Sequence, residues 1–508
     1  MFNLQLSKKI ITIVGLIWLF FPCLTSSNND AINYGENYKN NSETNINSDT
    51  KVKIDWFLKS FYNNLDLKMP ETQKKIDYIY YLYKKVNSIK NSLKSNSKMT
   101  NNQKEIFYYI ENSLEQRISY LQLEIEEEKK ALEEKNKHIK TPLKVKSLYY
   151  TSYAGGNSKK INSLYNLAKN TEINSVTIDI KDVSGYVSFQ LNNKDFDKIK
   201  PISNNRIKDI ESLIKTLHEK NIYVIGRIVV FKDKLLASNR PDLAIKWTDR
   251  KTVWNDYSGN KYMDPYSKEV WDYNANIATA AYKIGFDEIN FDYVRFPSDG
   301  KISSTYYPFA NKILRNNPKW GKIMVIDKFS NYFTKKIRKE NPNIVLSADV
   351  FGLVTRIDLL QIGQNLESFL MNFDYVGPMV YPSHYGRKFL GYSPADNYPY
   401  EIILDAFKNS KIKVQNLNKE IELAKIENRK IKLNYAISSD LDVNSIEKIK
   451  LSKIRPWLQG FTCTRCPGAT EYNRYKFRRQ IQAVNDYNLD SWWVWNSGSR
   501  YHYNWFNK

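Results

Sequence analysis

The chain has 508 residues, with 77 Lys and Arg against 54 Asp and Glu, and a formal charge of +23. Hydrophobic content of 42% and aromatic content of 14% exclude a wholly disordered chain, and 18 Gly and 16 Pro exclude a collagen-like or low-complexity one. Three Cys are too few for a disulfide-stapled scaffold. Residues 1–150 carry 23 Lys and Arg and 17 Asp and Glu, so +17 of the charge belongs to the remainder, with no run of five basic residues. The bland reading is compositional drift on a solvated surface, in a chain also rich in Asn, Ile and Tyr. The sharper reading is attraction to an anionic polymer or membrane surface.

In chain order, residues 1–26 read as an export signal or N-terminal anchor. Lys8 and Lys9 precede an apolar run from Ile10 to Phe21, too short for a confident membrane span, and Thr25, Ser26 and Ser27 follow. Cys23 raises lipidation, but Phe21 and Pro22 stand where a lipid-attachment motif needs small residues. The expected location is extracytoplasmic: periplasm, cell envelope or secreted. Membrane contact is expected only through this segment, and nucleic acid is not expected as a partner. Residues 27–51 are Asn/Ser-rich and read as a linker.

Residues 52–141 read as a helical arm. Apolar residues recur at three- and four-residue spacing through Ile54, Phe57, Leu58, Phe61 and Leu65. The pattern resumes through Ile76, Ile79, Leu82, Val86, Ile89 and Leu93, then through Leu114, Ile118, Leu121, Ile125, Leu132 and Ile139. Two or three helices in an antiparallel hairpin bury such stripes; an intermolecular coiled coil is the alternative.

From residue 143 to 508 the texture is alternating strand and helix. Strands are expected at 145–153, 174–181, 221–231, 286–296, 343–350, 374–381, 454–461 and 490–496, most of them separated by helical stretches. Eight such units predict an α/β fold, a (β/α)₈ TIM barrel preceded by the helical arm. A doubly wound open sheet competes, but no GxGxxG or P-loop sequence follows the first strand.

Barrel chemistry sits at strand C-termini. Tyr153 follows the first strand; Asp179, Lys181 and Asp182 end the second; Arg227 lies in the third. Asp292, Tyr293 and Arg295 end the fourth, Asp349 the fifth, and Tyr381 and His384 the sixth. Trp457 and Gln459 lie in the seventh and Trp495 and Asn496 in the eighth.

Four of these stretches, GFDEINFDYVRFPSDG (285–300), DYVGPMVYPSHY (374–385), RPWLQGF (455–461) and WWVWNSGSRY (492–501), resemble a bacterial family of glycoside hydrolase-like TIM barrels long known as a domain of unknown function. TIDIKDVSG (177–185) is similar to its second-strand motif. The resemblance spans roughly 145–505, and residues 416–453 depart from it as an insertion. It implies a barrel distantly similar to the α-amylase-like superfamily. There the strand-four carboxylate is the nucleophile, a role it suggests for Asp292.

Glycosidic hydrolysis needs one carboxyl group protonated and a second that attacks or activates water. Asp292 is the candidate nucleophile or base, Asp349 the candidate acid, and Asp179 the reserve carboxylate. Each has a structural alternative: Asp292 paired with Arg295, or Asp179 with Arg227. Glu288 shares a strand face with Asp292 but sits deeper, as a satisfied buried acid. Tyr381, Trp457 and Trp495 suit stacking on sugar faces, while Gln459, Asn496, His384, Arg227, Lys181, Tyr153, Tyr293 and Arg295 are candidate hydroxyl or ring contacts. The alternative for the Trp residues is barrel core, and for Gln459 and Asn496 it is loop backbone.

Four His in the chain make a His-based metal site improbable, and no metal or cofactor is expected. Cys463 and Cys466 read as a local disulfide in an exported protein; without a nearby His, one CxxC is a weak zinc signal. The sequence thus predicts an exported glycoside hydrolase acting on an envelope or extracellular polysaccharide or oligosaccharide. A non-catalytic carbohydrate-binding barrel is the alternative.

Overall fold

The computed structural model describes residues 72–507, apart from 98, 193–195, 197, 358–359, 387, 435–436, 467 and 469. The export segment, the linker and the apolar stripe from Ile54 to Leu65 lie outside the described residues. The chain divides into two compact units, up to Lys135 and from Asn136 onward. No helix among the described residues is long and apolar enough to cross a membrane.

In the first unit, α1 (Thr72–Ser95) and α2 (Asn101–Asn136) pair as an antiparallel hairpin. Tyr78, Ile79, Leu82 and Val86 meet Leu114, Ile118, Leu121 and Ile125 along one seam. Lys75 reaches Glu124 at 2.9 Å and Lys90 reaches Glu115 at 2.9 Å, so early α1 faces late α2. These pairs are partly solvated and contribute little; the seam holds the hairpin.

The second unit is a closed parallel barrel. Its strands are β1 (Lys146–Tyr150), β2 (Ser175–Lys181), β3 (Tyr223–Val229), β4 (Glu288–Asp292), β5 (Val345–Phe351), β6 (Tyr375–Met379), β7 (Trp457–Gln459) and β8 (Trp492–Trp495). Each pairs in parallel with its sequence neighbours, and β8 closes on β1. Between them run α3 (Ser158–Asn170), α4 (Ile210–Glu219), α5 (Lys268–Ile284), α6 (Gly321–Glu340), α7 (Leu366–Asn372), α8 (Pro399–Ile426) and α9 (Arg474–Asp486). The local chemistry agrees with this layout. Asn157, Asp209, Asn365 and Asn473 cap α3, α4, α7 and α9, each accepting a backbone N–H from the first turn. Gly285, at φ +132°, ends α5 just before β4.

Strand alternation sorts two layers. Val176, Ile178, Ile289, Phe291, Leu346, Ala348, Leu458 and Val494 face the helices and join the main core. Their neighbours line the barrel interior, where Tyr149, Tyr223, Ile225, Tyr381, Trp457 and Trp493 pack together. The interior is polar at depth. Arg455 meets both oxygens of Glu288 at 3.0 Å, and Ser347 donates to Glu288 at 2.6 Å, so Glu288 is the satisfied buried acid that its depth predicts.

Two additions surround this frame. Between β3 and α5 the chain forms a small ribbon, Lys246–Trp247 pairing with Thr305–Tyr306 from the segment after β4. Within residues 416–453, a two-stranded ribbon (Lys432–Asn434, Ile437–Ser438) follows the 28-residue α8. The Ser439 hydroxyl after it reaches the buried Asp327 of α6 at 3.1 Å.

Candidate active site

At the C-terminal mouth of the barrel, register puts Asp179, Arg227, Asn290 and Ser347 in one row, with Asp292 and Asp349 two residues further along β4 and β5. Asp179 of β2 lies opposite Arg227 of β3, and Phe291 of β4 lies opposite Ala348 of β5. The next positions on that adjacent pair of strands are Asp292 and Asp349. Arg227 spans the mouth: its Nη1 donates to Asp179 Oδ1 at 2.6 Å and its Nη2 to Asp292 Oδ2 at 2.5 Å. Burial alone would loosen its proton, but Asp179 and Asp292 outweigh that and hold the guanidinium firmly charged. Tyr149 donates to the second oxygen of Asp179 at 2.5 Å, and its ring stacks on Trp495 with centroids 3.9 Å apart.

Asp349 has a different environment. Its Oδ1 accepts from Trp457 Nε1 at 2.7 Å and from Asn290 Nδ2 at 3.0 Å. It is 1% exposed, and no ion pair reaches it among the described residues. Burial and the neighbouring Asp292 push its pKa well above the usual carboxylate range. With Oδ1 accepting two N–H groups, Oδ2 is the oxygen free to carry a proton. Asp292 is 7% exposed, and its Oδ1 accepts from the Tyr293 N–H at 2.5 Å. Asp179 is also pushed upward by burial, against the pull of Arg227.

Three residues that the sequence reading did not single out complete this group. Tyr149 orients Asp179, and Asn290 links Asp349 to Ser347 deeper in the barrel at 3.2 Å. Gly377, opposite Asp349 on β6, leaves the space Asp349 needs: a Cβ there would stand 2.6 Å from Asp349 Oδ1 and 3.0 Å from Trp457. Asn290 shares strand parity with Asp292, so that signal was present. Gly377 and Tyr149 became visible only once strands were placed side by side.

Several expectations need correcting. Arg295 does not pair with Asp292; Arg227 takes that place, because its strand neighbours β4 on one side and β2 on the other. Lys181 ends β2 as expected but offers no free ammonium to a substrate: it is fully buried, paired with Asp233 at 2.6 Å and 5.3 Å from the Tyr273 ring centroid. Trp457 is 1% exposed and stacked on Trp493, so it positions Asp349 and presents no open ring face. Gln459 is buried, accepting from Ser383 N–H and donating to the Phe461 carbonyl. Asn496 likewise serves loop backbone, donating to the Gly460 carbonyl at 2.6 Å.

The rest lie around the opening. Tyr381 is buried in the interior cluster, where burial and then the charges of Asp349 and Asp292 raise its hydroxyl pKa well above 10. Tyr153 is exposed on the rim, with Arg206 3.9 Å from its ring centroid. Cys463 and Cys466 form a disulfide. The loop after β6 brings His384 beside it, with ring nitrogen and sulfurs all within 4.8 Å of one another. Joined as a disulfide, the sulfurs offer no thiolate to a metal. Desolvation against Tyr381 and Phe461 pushes the His384 pKa down.

An eight-stranded parallel barrel ringed by helices, with carboxyl groups gathered at its C-terminal mouth, is a TIM barrel of the enzyme type. Residues 147–501 match the family described as "putative glycosyl hydrolase domain", and the chain belongs to that family. Solved structures similar to it include a hypothetical protein from Ruminiclostridium thermocellum, 35% identical over 40% of this chain and 97% of that one, with a TM-score of 0.33. The PgaB (BpsB) glycoside hydrolase domain from Bordetella bronchiseptica is 12% identical over 70% of this chain and 95% of its own, at 0.47. The spore cortex-lytic enzyme SleL from Bacillus megaterium is 11% identical over 72% and 74%, at 0.38. Among curated proteins none matches.

Proposed function

We propose that this barrel hydrolyses glycosidic bonds of a polysaccharide with retention of configuration, Asp292 acting as nucleophile and Asp349 as acid and then base. One observation carries the reading: two carboxyl groups at opposed positions of adjacent strands sit in opposite environments. Asp292 has a cationic partner at 2.5 Å, while Asp349 is buried with no ion pair among the described residues, and burial and Asp292 push its pKa upward. A pair whose environments differ in this way divides acid from nucleophile. A strand-four carboxylate acting as nucleophile, the role the sequence resemblance suggests for Asp292, passes through a covalent glycosyl ester and therefore retains configuration.

In the first step Asp349 donates its Oδ2 proton to the leaving glycosidic oxygen as an Asp292 oxygen attacks the anomeric carbon, giving a glycosyl ester. The Arg227 charge and the Tyr293 N–H hold Asp292 for attack. In the second step the ionised Asp349 takes a proton from water, which attacks the anomeric carbon and frees Asp292. The N-terminal reading supports an extracytoplasmic site of action on an envelope or extracellular glycan.

The test is product release by the full chain from a panel of envelope polysaccharides, beside Asp292→Asn and Asp349→Asn, with NMR of the first-formed anomer. Losses of at least ~10³-fold in both variants and a retained anomer are expected. Equal release by wild type and variants removes the assigned roles, and an inverted product removes the ester. Binding without turnover favours a carbohydrate-binding barrel.

A further inference from the structure

Tyr293 directly follows Asp292 and has φ +54°, a left-handed backbone that a bulky residue adopts only where its surroundings enforce it. Two cations lie over its ring, the Arg295 guanidinium 4.7 Å and the Lys232 ammonium 4.9 Å from the centroid. Arg295 also lies 4.7 Å from the ring of Phe351, two residues past Asp349. The guanidinium therefore stands between the residues that leave the two carboxyl-bearing strands.

Arg295 is 6% exposed and makes no ion pair among the described residues. It donates to the Phe296 carbonyl at 3.0 Å and meets the Tyr262 hydroxyl. Lys232 has one carboxylate, Asp256, at 3.8 Å. That carboxylate is already engaged by the Ser258 N–H and by the N–H and side-chain amide of Asn260. A buried guanidinium and a partly buried ammonium thus share the Tyr293 ring, with the Tyr262 ring 5.7 Å from Lys232 and one distant, occupied carboxylate. An uncompensated buried charge is costly, and ring faces compensate it only in part.

We propose that Arg295 and Lys232 form a subsite for an anionic substituent, the carboxylate of an acidic sugar, on the glycan that Asp292 and Asp349 cleave. The inference rests on the hydrolase reading for the cleavage but not for the binding. The planar fork of Arg295 matches a carboxylate in two parallel hydrogen bonds, and Lys232 adds a point charge beside it. A neutral sugar leaves both cations uncompensated, so the subsite selects against it.

The full chain carrying Asp349→Asn, which keeps the shape of the protonated acid, is applied at fixed salt to an array of uronate-bearing, sulfated, phosphorylated and neutral oligosaccharides. Retention of uronate-bearing glycans is expected, weakened at least tenfold by added Arg295→Gln and only a few-fold by Arg295→Lys, with unchanged thermal unfolding. Three outcomes overturn the subsite: neutral, sulfated or phosphorylated glycans retained in place of uronates; uronate retention indifferent to Arg295→Gln; or no glycan retained. If Arg295-dependent binding occurs and the wild type cleaves nothing, the hydrolase reading fails and the subsite stands. If the wild type cleaves neutral glycans alone, the reverse holds.

Discussion

Replacing Arg227 with Met tests the electrostatic design of the mouth. The guanidinium is 4% exposed and is the cationic partner of both Asp179 and Asp292. Removing one member of a buried pair costs about 3–5 kcal/mol, because the charge left behind has lost its partner. The stranded acids have an escape, which is to take up a proton. Protonating a carboxyl of ordinary pKa costs about 1.4 kcal/mol per pH unit above ~4, hence ~4 kcal/mol each at pH 7 and ~1.4 at pH 5. In the variant Asp179, whose carboxyl burial already pushes upward, loses the opposing pull of Arg227, so its folded-state pKa lies further above its unfolded value. The folded variant then binds more protons than the unfolded chain, and gains stability as pH falls. The expected deficit is about 3–5 kcal/mol at pH 7, shrinking to ~1–3 kcal/mol at pH 5.

Urea unfolding followed by Trp fluorescence at both pH values measures this, since nine of the 11 Trp belong to the barrel unit. Adding Asp179→Asn should recover roughly half the loss at pH 7. A deficit below ~1 kcal/mol at pH 7, or one that does not change between pH 7 and 5, refutes the reasoning, since it would mean that Arg227 is not the counter-charge of a desolvated pair.

Three further outcomes follow from the same geometry. Because burial and Asp292 raise the Asp349 pKa, turnover should fall as pH rises through that raised value, and carboxyl ¹³C shifts should show Asp349 titrating lower in Asp292→Asn; an unmoved titration removes the coupling. Gly377→Ala should lower activity at least tenfold for a stability loss of ~1–3 kcal/mol, since its Cβ displaces Asp349; wild-type turnover would show that the close approach is unimportant. Burial raises Asp327 from 3.8 to about 6, so the folded chain holds its proton and stability is lost as pH rises from 4 through 6. That loss is about 3 kcal/mol for this group, and Asp327→Asn should remove it from the unfolding profile. Asp264, raised to about 6 in the same way, leaves its own slope behind.

The order of elements was legible from periodicity. Runs such as SVTIDIK and VLSADVF alternate polar residues with a face of Val, Ile, Leu and Ala, and that alternation sets strand, inward face and strand end together. Alternation and strand ends thus suffice to put Asp179, Asp292 and Asp349 at the mouth, and Glu288 below them. Partnership was not legible. Whether Asp292 meets Arg295, three residues away, or Arg227, 65 residues away, depends on barrel closure and on the stagger between β3 and β4. Lys181 ends β2 where the sequence puts it, but its burial in an ion pair with Asp233, 52 residues away, became visible only in the folded chain. Trp457 could be assigned to core or to sugar stacking until its indole N–H was found on Asp349. Local sequence determines which way a strand residue points, because alternation is a property of one chain segment. Only the closed sheet determines what that residue meets, because side-chain contacts, desolvation and the upward push on the Asp349 pKa are set by neighbours distant in sequence.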